Sequence, residues 1–330
     1  MKTLSIIIPS YNTEKFIDKN MSVFFTEGIL DNLEILIIND GSKDNTEKKA
    51  RVWEEKFPEV VNVISKENGG HGSVINTGIR YANGKYFKVI DGDDWVDIKG
   101  LISLAKFLEQ SEIDLIINPF YTLNETNNKY KKHSFSNVEY GKEYVFEDIV
   151  KSVSYIPLQA WTIRTDILKN NNIKVTEKCF YEDFQYVIYP VPYIKNVIFL
   201  QNPVYVYLVG QQSQSVSDNS VLKNVDMHTQ IIEDSIHYYN KIECSSVKKI
   251  YIQRNILNLI KSHYNIYLRN YKVAGVYENL KNFDSYLMDI SDEFYIEVAK
   301  KYKYIKYVRK NQLFFLLNAV FLKGFKSVSR

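Results

Sequence analysis

The chain has 330 residues, 45% of them apolar, enough for one large domain and a smaller one around a sizeable core, which excludes a disordered polymer. Its 42 basic and 39 acidic residues leave a net charge of +3, so nothing in the charge balance calls for nucleic acid and no such partner is expected. The two cysteines, Cys179 and Cys244, lack metal-ligand spacing and disulfide density, no signal segment opens the chain, and no window approaches the ~18 to 20 apolar residues that span a bilayer; a soluble or peripheral cytoplasmic protein is expected.

The first 118 residues alternate short apolar runs with amphipathic stretches, the sequence form of repeated βα units. In chain order, strands are predicted at 4–8, 33–38, 61–64, 86–90 and 113–117, with helices near 14–27, 44–57, 73–82 and 98–110. Ser42 or Asp44 can cap the second helix, and Pro58 lies just beyond its end. From 120 to 215 the pattern is mixed: 124–128 is turn-rich, and 196–200 and 204–208 read as strands around Asn202-Pro203. Beyond about 220 helical spacing dominates, with Ile252, Ile256, Leu259, Ile260, His263 and Tyr267 on one face. His263 reads as packed on that face, since no second histidine stands at ligand spacing. The fold class is α/β: a Rossmann-like, mainly parallel sheet flanked by helices over 1–218, followed by a mostly helical region over 219–330.

In such sheets, ligands bind beyond the carboxyl ends of the strands. There the chain reads Pro9-Ser10-Tyr11-Asn12, Asn39-Asp40-Gly41-Ser42, Lys66-Glu67-Asn68-Gly69-Gly70 and Asp91-Gly92-Asp93-Asp94, so polar, small and acidic groups converge on one rim. The last stretch puts three carboxylates in four positions, where repulsion is costly unless a cation or hydrogen-bond donors offset it. A hard divalent cation, Mn²⁺ or Mg²⁺, suits them, because one or two carboxylates hold it and leave positions open to diphosphate oxygens. Gly92 lets the flanking carboxylates converge; the alternative is a solvated acidic turn. Asp40 can accept from a base N–H or serve a helix-capping loop. The segment Asn68-Gly69-Gly70-His71-Gly72 suits phosphate, with Lys66 beside it as a phosphate partner or an exposed lysine. It lacks the third glycine of G-x-G-x-x-G and follows the third strand, which disfavours a dinucleotide dehydrogenase. Trp95 is a core anchor or a wall of a sugar pocket.

Taken together, Ser5-Ile6-Ile7-Ile8-Pro9-Ser10-Tyr11-Asn12, Ile38-Asn39-Asp40-Gly41-Ser42, Asn68-Gly69-Gly70 with Asn76-Thr77-Gly78, Ala82-Asn83-Gly84-Lys85-Tyr86 and Asp91-Gly92-Asp93-Asp94 resemble, in order and spacing, the inverting family-2 glycosyltransferases with the GT-A fold. The resemblance covers roughly residues 3–100 and implies that 1–218 is a catalytic domain for a nucleotide sugar, UDP-linked, carrying a hexose or N-acetylhexosamine. It implies that Pro9, Tyr11 and Asp40 line the nucleoside site, with Asn12, Lys66, Asn68, Gly69, Gly70 and Gly92 beside the donor. Asp91 would contact the nucleotide and share the metal, and Asp93 would be its main ligand. The family's acidic pair before a helix is matched by Glu182-Asp183, which makes Asp183 the expected general base. One departure stands out: many relatives carry a basic residue before a serine-rich loop, and the matching stretch here, Gly210 to Ser217, has none and would close with amides and hydroxyls, among them Gln214 and Ser215. The acceptor would be a lipid-linked or protein-bound glycan.

Two other classes compete. A nucleotidyltransferase also wants an acidic metal pair, but the basic glycine-rich triphosphate loop near its first strand is missing here; a noncatalytic sugar-binding module would have lost Asp93 or Asp183, and both are present. Beyond position 300 there is no acidic residue, and Lys301, Lys303, Lys306, Arg309, Lys310, Lys323, Lys326 and Arg330 alternate with aromatic and apolar residues. The segment 301–330 is expected either to lie on an anionic membrane at the inner face of the cell membrane, or to pack as a helix with solvated lysines; self-association is a further option for this region.

Overall fold

Two apolar runs set the centre of the sheet. Strands β1 (Leu4–Ser10) and β2 (Leu33–Asp40) are buried at every position, as parallel strands covered on both faces require. The computed structural model describes residues 2–25, 32–153, 155–210, 222–313 and 315–317. The chain divides into two compact units, Met1–Gln211 and Gln212–Arg330.

In the first unit, β1 and β2 are joined by β3 (Val61–Lys66), β4 (Tyr86–Val89), β6 (Leu115–Ile117), β9 (Glu143–Val145), β10 (Trp161–Arg164) and β11 (Asn196–Phe199) in an eight-stranded sheet, ordered β3-β2-β1-β4-β10-β6-β11-β9. The strands predicted near 4, 33, 61, 86, 113 and 196 all form. Pairings β3-β2, β2-β1, β1-β4 and β6-β11 are parallel, as expected. The difference is β10, which enters antiparallel between β4 and β6. Its insertion separates the first four strands from the rest. Buried in β2, Glu34 is satisfied by the Ser5 hydroxyl and by Asn83, whose N–H and Nδ2 donate at 2.8 and 2.7 Å, so this carboxylate fastens the turn before β4.

Helices α1 (Ile17–Phe24), α2 (Thr46–Lys56), α3 (Gly70–Tyr81) and α4 (Ile98–Gln110) fill the first connections, and the short α5 (Phe146–Ile149) and α6 (Thr165–Asn170) follow. α3 begins three residues earlier than its apolar period suggests. Asp97 caps α4 by accepting from the Gly100 N–H at 2.9 Å, and Leu101, Leu104 and Leu108 are its buried side. Before α2, Asp44 accepts from the Thr46 N–H and hydroxyl at 3.0 and 2.6 Å.

A second sheet, β5-β12-β7-β8, is built from β5 (Trp95–Val96), β7 (Phe120–Asn124), β8 (Lys129–His133) and β12 (Tyr205–Val209). The turn-rich 124–128 is thus the tip of the β7-β8 hairpin. Period-two alternation gives this sheet two faces. Val206, Leu208 and Leu123 form an apolar cluster on one, with Phe16, Trp95 and Tyr121 packed against it. The opposite face carries Tyr205 and Tyr207, then Phe120 and Thr122, then His133 and Lys131, in register.

The second unit is helical. Among its described residues are α8 (Val225–Lys241), α9 (Ser246–Arg269), α10 (Val276–Ile290), α11 (Asp292–Lys301) and α12 (Lys303–Val308). The buried face of α9 includes Ile252, Ile256, Ile260, His263 and Tyr267, as its spacing predicts. His263 has a partner that spacing along one helix could not show: His228 of α8, with the two Nδ1 atoms 3.1 Å apart. Burial lowers the His228 pKa to about 4, and burial together with His228 holds His263 well below its ordinary value. The folded state therefore favours the neutral pair. That contribution is complete above pH 6.5, the ordinary histidine value, and is lost as pH falls through the folded value near 4. From His228 alone we expect a loss of roughly 3 kcal/mol over this window. Denaturant midpoints of the full chain between pH 8 and 4.5 check this, and a midpoint that does not fall refutes it.

The start of the basic C-terminal segment is structural. Arg309 donates to Asp284 at 2.6 Å, to the Tyr264 hydroxyl and to the Tyr295 carbonyl, and its guanidinium lies 3.6 Å from the Tyr295 ring centroid. Lys301 and Tyr302 bond to Asn258, and Tyr304 bonds to Asn265 at 2.8 Å. Ile305, Val308 and Phe315 are buried, whereas Leu313 and Leu317 are exposed. Lys323, Lys326 and Arg330 lie outside the described residues. No helix among the described residues is long and apolar enough to cross a membrane.

Candidate functional site

The carboxyl ends of β1 and β4 meet below the acidic turn. A Cβ on Gly92 would stand 2.4 Å from the Pro9 carbonyl oxygen, so only glycine lets the turn close over β1. Asp91, next to it, accepts from the Tyr205 hydroxyl at 2.9 Å through one oxygen and lies 2.9 Å from His71 Nε2 through the other. Asp94 is buried, and it too accepts from Tyr205, at 2.6 Å, and from the Leu208 N–H at 2.7 Å. One phenol proton serves two carboxylates. Burial, then the charges of Asp91 and Asp93, raise Asp94 well above its ordinary value.

Asp93 differs from both neighbours. Among the described residues no other side chain donates to its carboxylate, and burial and the charge of Asp91 push its pKa up. Such a donor set fits a hard divalent cation: Asp93 is an anion short of compensation, and Asp91 keeps unused lone pairs. No group of three or more His, Cys, Asp or Glu among the described residues is arranged to hold an ion alone, so diphosphate oxygens and water would have to complete the shell.

Around the β2 end, Asp40 organises the glycine loop. Its carboxylate accepts from Lys66 Nζ at 2.6 Å and from the Gly69 and Gly70 N–H groups at 2.9 and 2.8 Å, and its carbonyl accepts from Asn68 at 2.9 Å. Lys66 is therefore neutralised by Asp40, and a base N–H would have to take the last lone pair of that carboxylate. Asn12, in the left-handed region at φ 54°, accepts from the Lys43 N–H and donates its own N–H to Ser42, which ties the β1 loop to the β2 loop. Tyr11 is 50% exposed and open to stacking on a base. Trp95 is half-buried, with Lys19 Nζ 3.6 Å from its ring centroid. Gln214 and Ser215 lie outside the described residues.

The acidic pair Glu182-Asp183 opens α7 (Asp183–Ile188). Glu182 is buried and its Oε1 lies 2.6 Å from His71 Nδ1, so His71 bridges Glu182 and Asp91. Burial alone would depress the imidazole, but hydrogen bonds to Asp91 and Glu182 outweigh it and hold its pKa well above the ordinary value. Asp183 is half-buried, accepts from the Phe184 N–H at 2.9 Å, and is raised to about 6 by burial and by the charge of Glu182. Tyr207 faces the same cluster: burial, then Asp94, Asp91, Asp93 and Asp183, raise it to about 12. His71, Tyr205 and Tyr207 are the site residues that reading the sequence missed.

The bridge depends on a close approach. A Cβ on Gly72 would stand 2.1 Å from the Thr176 carbonyl oxygen and 3.0 Å from Glu182 Cγ. We expect Gly72→Ala to separate α3 from the segment before α7, to cost about 1–3 kcal/mol, and to lower activity further than stability. Unfolding midpoints and kcat on one preparation check this; wild-type kcat in the variant refutes it.

Comparison with known proteins agrees with this geometry. The profile described as Glycosyl transferase family 2 matches residues 5–171. The minor teichoic acid biosynthesis protein GgaB of Bacillus subtilis is 24% identical over 269 residues, which are 78% of this chain and 27% of GgaB. The chain spans about a quarter of the length of curated relatives of this kind. Among solved structures, S. aureus TarS 1–349 in complex with UDP-GlcNAc superposes with a TM-score of 0.66 at 16% identity, covering 98% of this chain and 92% of that one. The mannosyltransferase PcManGT of Pyrobaculum calidifontis, in complex with GDP-Man and Mn2+, has a TM-score of 0.51 at 12% identity, covering 90% and 86%. These likenesses show the GT-A fold.

Proposed function

The chain belongs to glycosyl transferase family 2 and is a glycosyltransferase, and from that premise we propose that it moves a hexose or N-acetylhexosamine from a UDP-sugar to a hydroxyl of a glycan acceptor, with inversion at the anomeric carbon. The observation that carries this reading is the division of labour in the acidic pair. Glu182 is buried and occupied by His71, whereas Asp183 is half-buried with a pKa near 6, unprotonated at neutral pH and able to accept a proton. Asp183 takes the acceptor hydroxyl's proton as its oxygen bonds to the anomeric carbon, and the bond from that carbon to the diphosphate oxygen breaks on the opposite face.

Asp93, with Asp91, would hold a divalent cation, which supplies positive charge where the diphosphate departs. Tyr11 and the loops tied by Asn12 and Asp40 would receive the nucleoside, with Pro9, Asn68, Gly69 and Gly70 beside it. Mn²⁺ with PcManGT and UDP-GlcNAc with TarS support the cation and the donor class; GgaB supports a cell-surface glycan as acceptor. A screen of nucleotide sugars for hydrolysis with Mn²⁺ tests the donor. Release of UDP from one or more UDP-sugars is expected, and turnover of only a GDP- or TDP-sugar overturns the UDP reading.

A further inference from the structure

A cavity of about 300 Å³ opens beside the second sheet of the first unit, at the lower end of the range for small-molecule sites. Its lining combines three rings, Phe120, Phe135 and Tyr155, with three hydroxyls, Ser134, Ser136 and Ser152. Among the described residues, neither Asp, Glu, Lys nor Arg lines it. His133 completes the wall, stacked on Phe120 at 4.7 Å and 3.1 Å from the Thr122 hydroxyl. Burial and the charge of Lys131 hold that imidazole below its ordinary value, so the wall is neutral at pH 7.

Two features join the cavity to the reaction centre. Phe120 pairs in register with Tyr205 on one side and with His133 on the other, so a single row of side chains runs from the Asp91 and Asp94 carboxylates, across the tyrosine face of the sheet, to the cavity wall. Across the cavity, Tyr155 stacks on Phe184, with interplanar angle 8° and centroids 6.2 Å apart, and Phe184 directly follows Asp183. Both ends of the wall are thus anchored to residues of the site.

We propose that this cavity binds a neutral sugar residue of the acceptor glycan. Ring faces pack against the C–H face of a pyranose and hydroxyls bond to its hydroxyls, whereas a phosphate or carboxylate would enter with no cation in the wall to neutralise it. The assignment rests on the transferase reading above and narrows its glycan acceptor to one that presents a neutral sugar.

The test is saturation-transfer NMR on the full chain with lactose and N,N′-diacetylchitobiose as neutral probes and sn-glycerol 3-phosphate as the charged comparator. Saturable binding of at least one neutral probe is expected, weakened about tenfold or more by Phe135→Ala, which removes a ring face, and abolished by Ser136→Trp, which fills the cavity from its exposed rim. Circular dichroism on each variant excludes misfolding, and either variant alone suffices if the other fails to fold. Absence of neutral-sugar binding, binding unaffected by a folded variant, or preference for glycerol phosphate overturns the proposal. Donor hydrolysis by the wild-type chain keeps the two readings apart: a chain that turns over donor but binds neither sugar refutes the cavity alone, and one that binds sugar but hydrolyses no nucleotide sugar refutes the donor reading alone.

Discussion

Asp183→Asn is expected to lower transfer by about 10²-fold or more while the donor still binds. The amide keeps the side chain's size and can still accept from the Phe184 N–H, so α7 keeps its start. What it loses is the capacity to take a proton. The pH dependence gives the stricter check, because burial and Glu182 raise Asp183 to about 6. A base works only when unprotonated, so wild-type kcat/KM should climb as pH rises through about 6 and then level, and the residual activity of the variant should lack that limb. Glu182→Gln makes the contrast: it disturbs the contact with His71 and hence Asp91, and so should change donor KM as well as kcat. Should Asp183→Asn transfer normally while Glu182→Gln does not, Glu182 is the base and the division of labour proposed here is wrong.

Much of this site could be read from sequence because its parts are local. The apolar runs of β1, β2, β3 and β4 end in loops that carry their polar residues within four positions, and a parallel sheet brings those ends to one rim whatever else the chain does. What escaped was long-range. β10 enters the sheet antiparallel through the pairing of Ile163 with Phe87, 76 positions earlier in the chain, and no local period announces a sheet neighbour. His71 sits inside a glycine loop, and its meaning lies in Glu182, which is 111 positions away. Tyr205 and Tyr207 did carry a signal: Tyr205-Val206-Tyr207-Leu208 alternates phenols with aliphatics, which marks one face tipped with hydroxyls and one aliphatic face. That run marks the strand, but which groups the phenols meet depends on the distant Asp91 and Asp94. In the C-terminal segment, basic composition could not separate Arg309, half-buried against Asp284 and Tyr295, from the exposed Lys303 and Lys306, because a guanidinium serves a core or a surface with the same residue type.

Asp93→Ala is expected to abolish cation-dependent transfer, by about 10²-fold or more, without weakening the fold. The argument turns on what each carboxylate of the turn does in the protein. Asp94 accepts from Tyr205 and from the Leu208 N–H, so Asp94→Ala removes a buried acceptor shared by two donors and should cost about 1–3 kcal/mol. Asp93 makes no comparable contact among the described residues, and its pKa is raised by burial and by Asp91, which means that its charged form is disfavoured in the fold. A carboxyl whose folded pKa lies above its unfolded one detracts from stability once pH exceeds both, so at pH 7 and without added metal Asp93→Ala should unfold at or above the wild-type midpoint. A carboxylate that lowers stability in the fold without a ligand is what a site tuned for a cation requires. Chelation with EDTA should reduce wild-type turnover toward the level of the variant, with Mn²⁺ or Mg²⁺ restoring the wild type and leaving Asp93→Ala unchanged. Metal-dependent turnover in Asp93→Ala, or a loss of stability matching that of Asp94→Ala, would place the cation elsewhere and make Asp93 part of the scaffold.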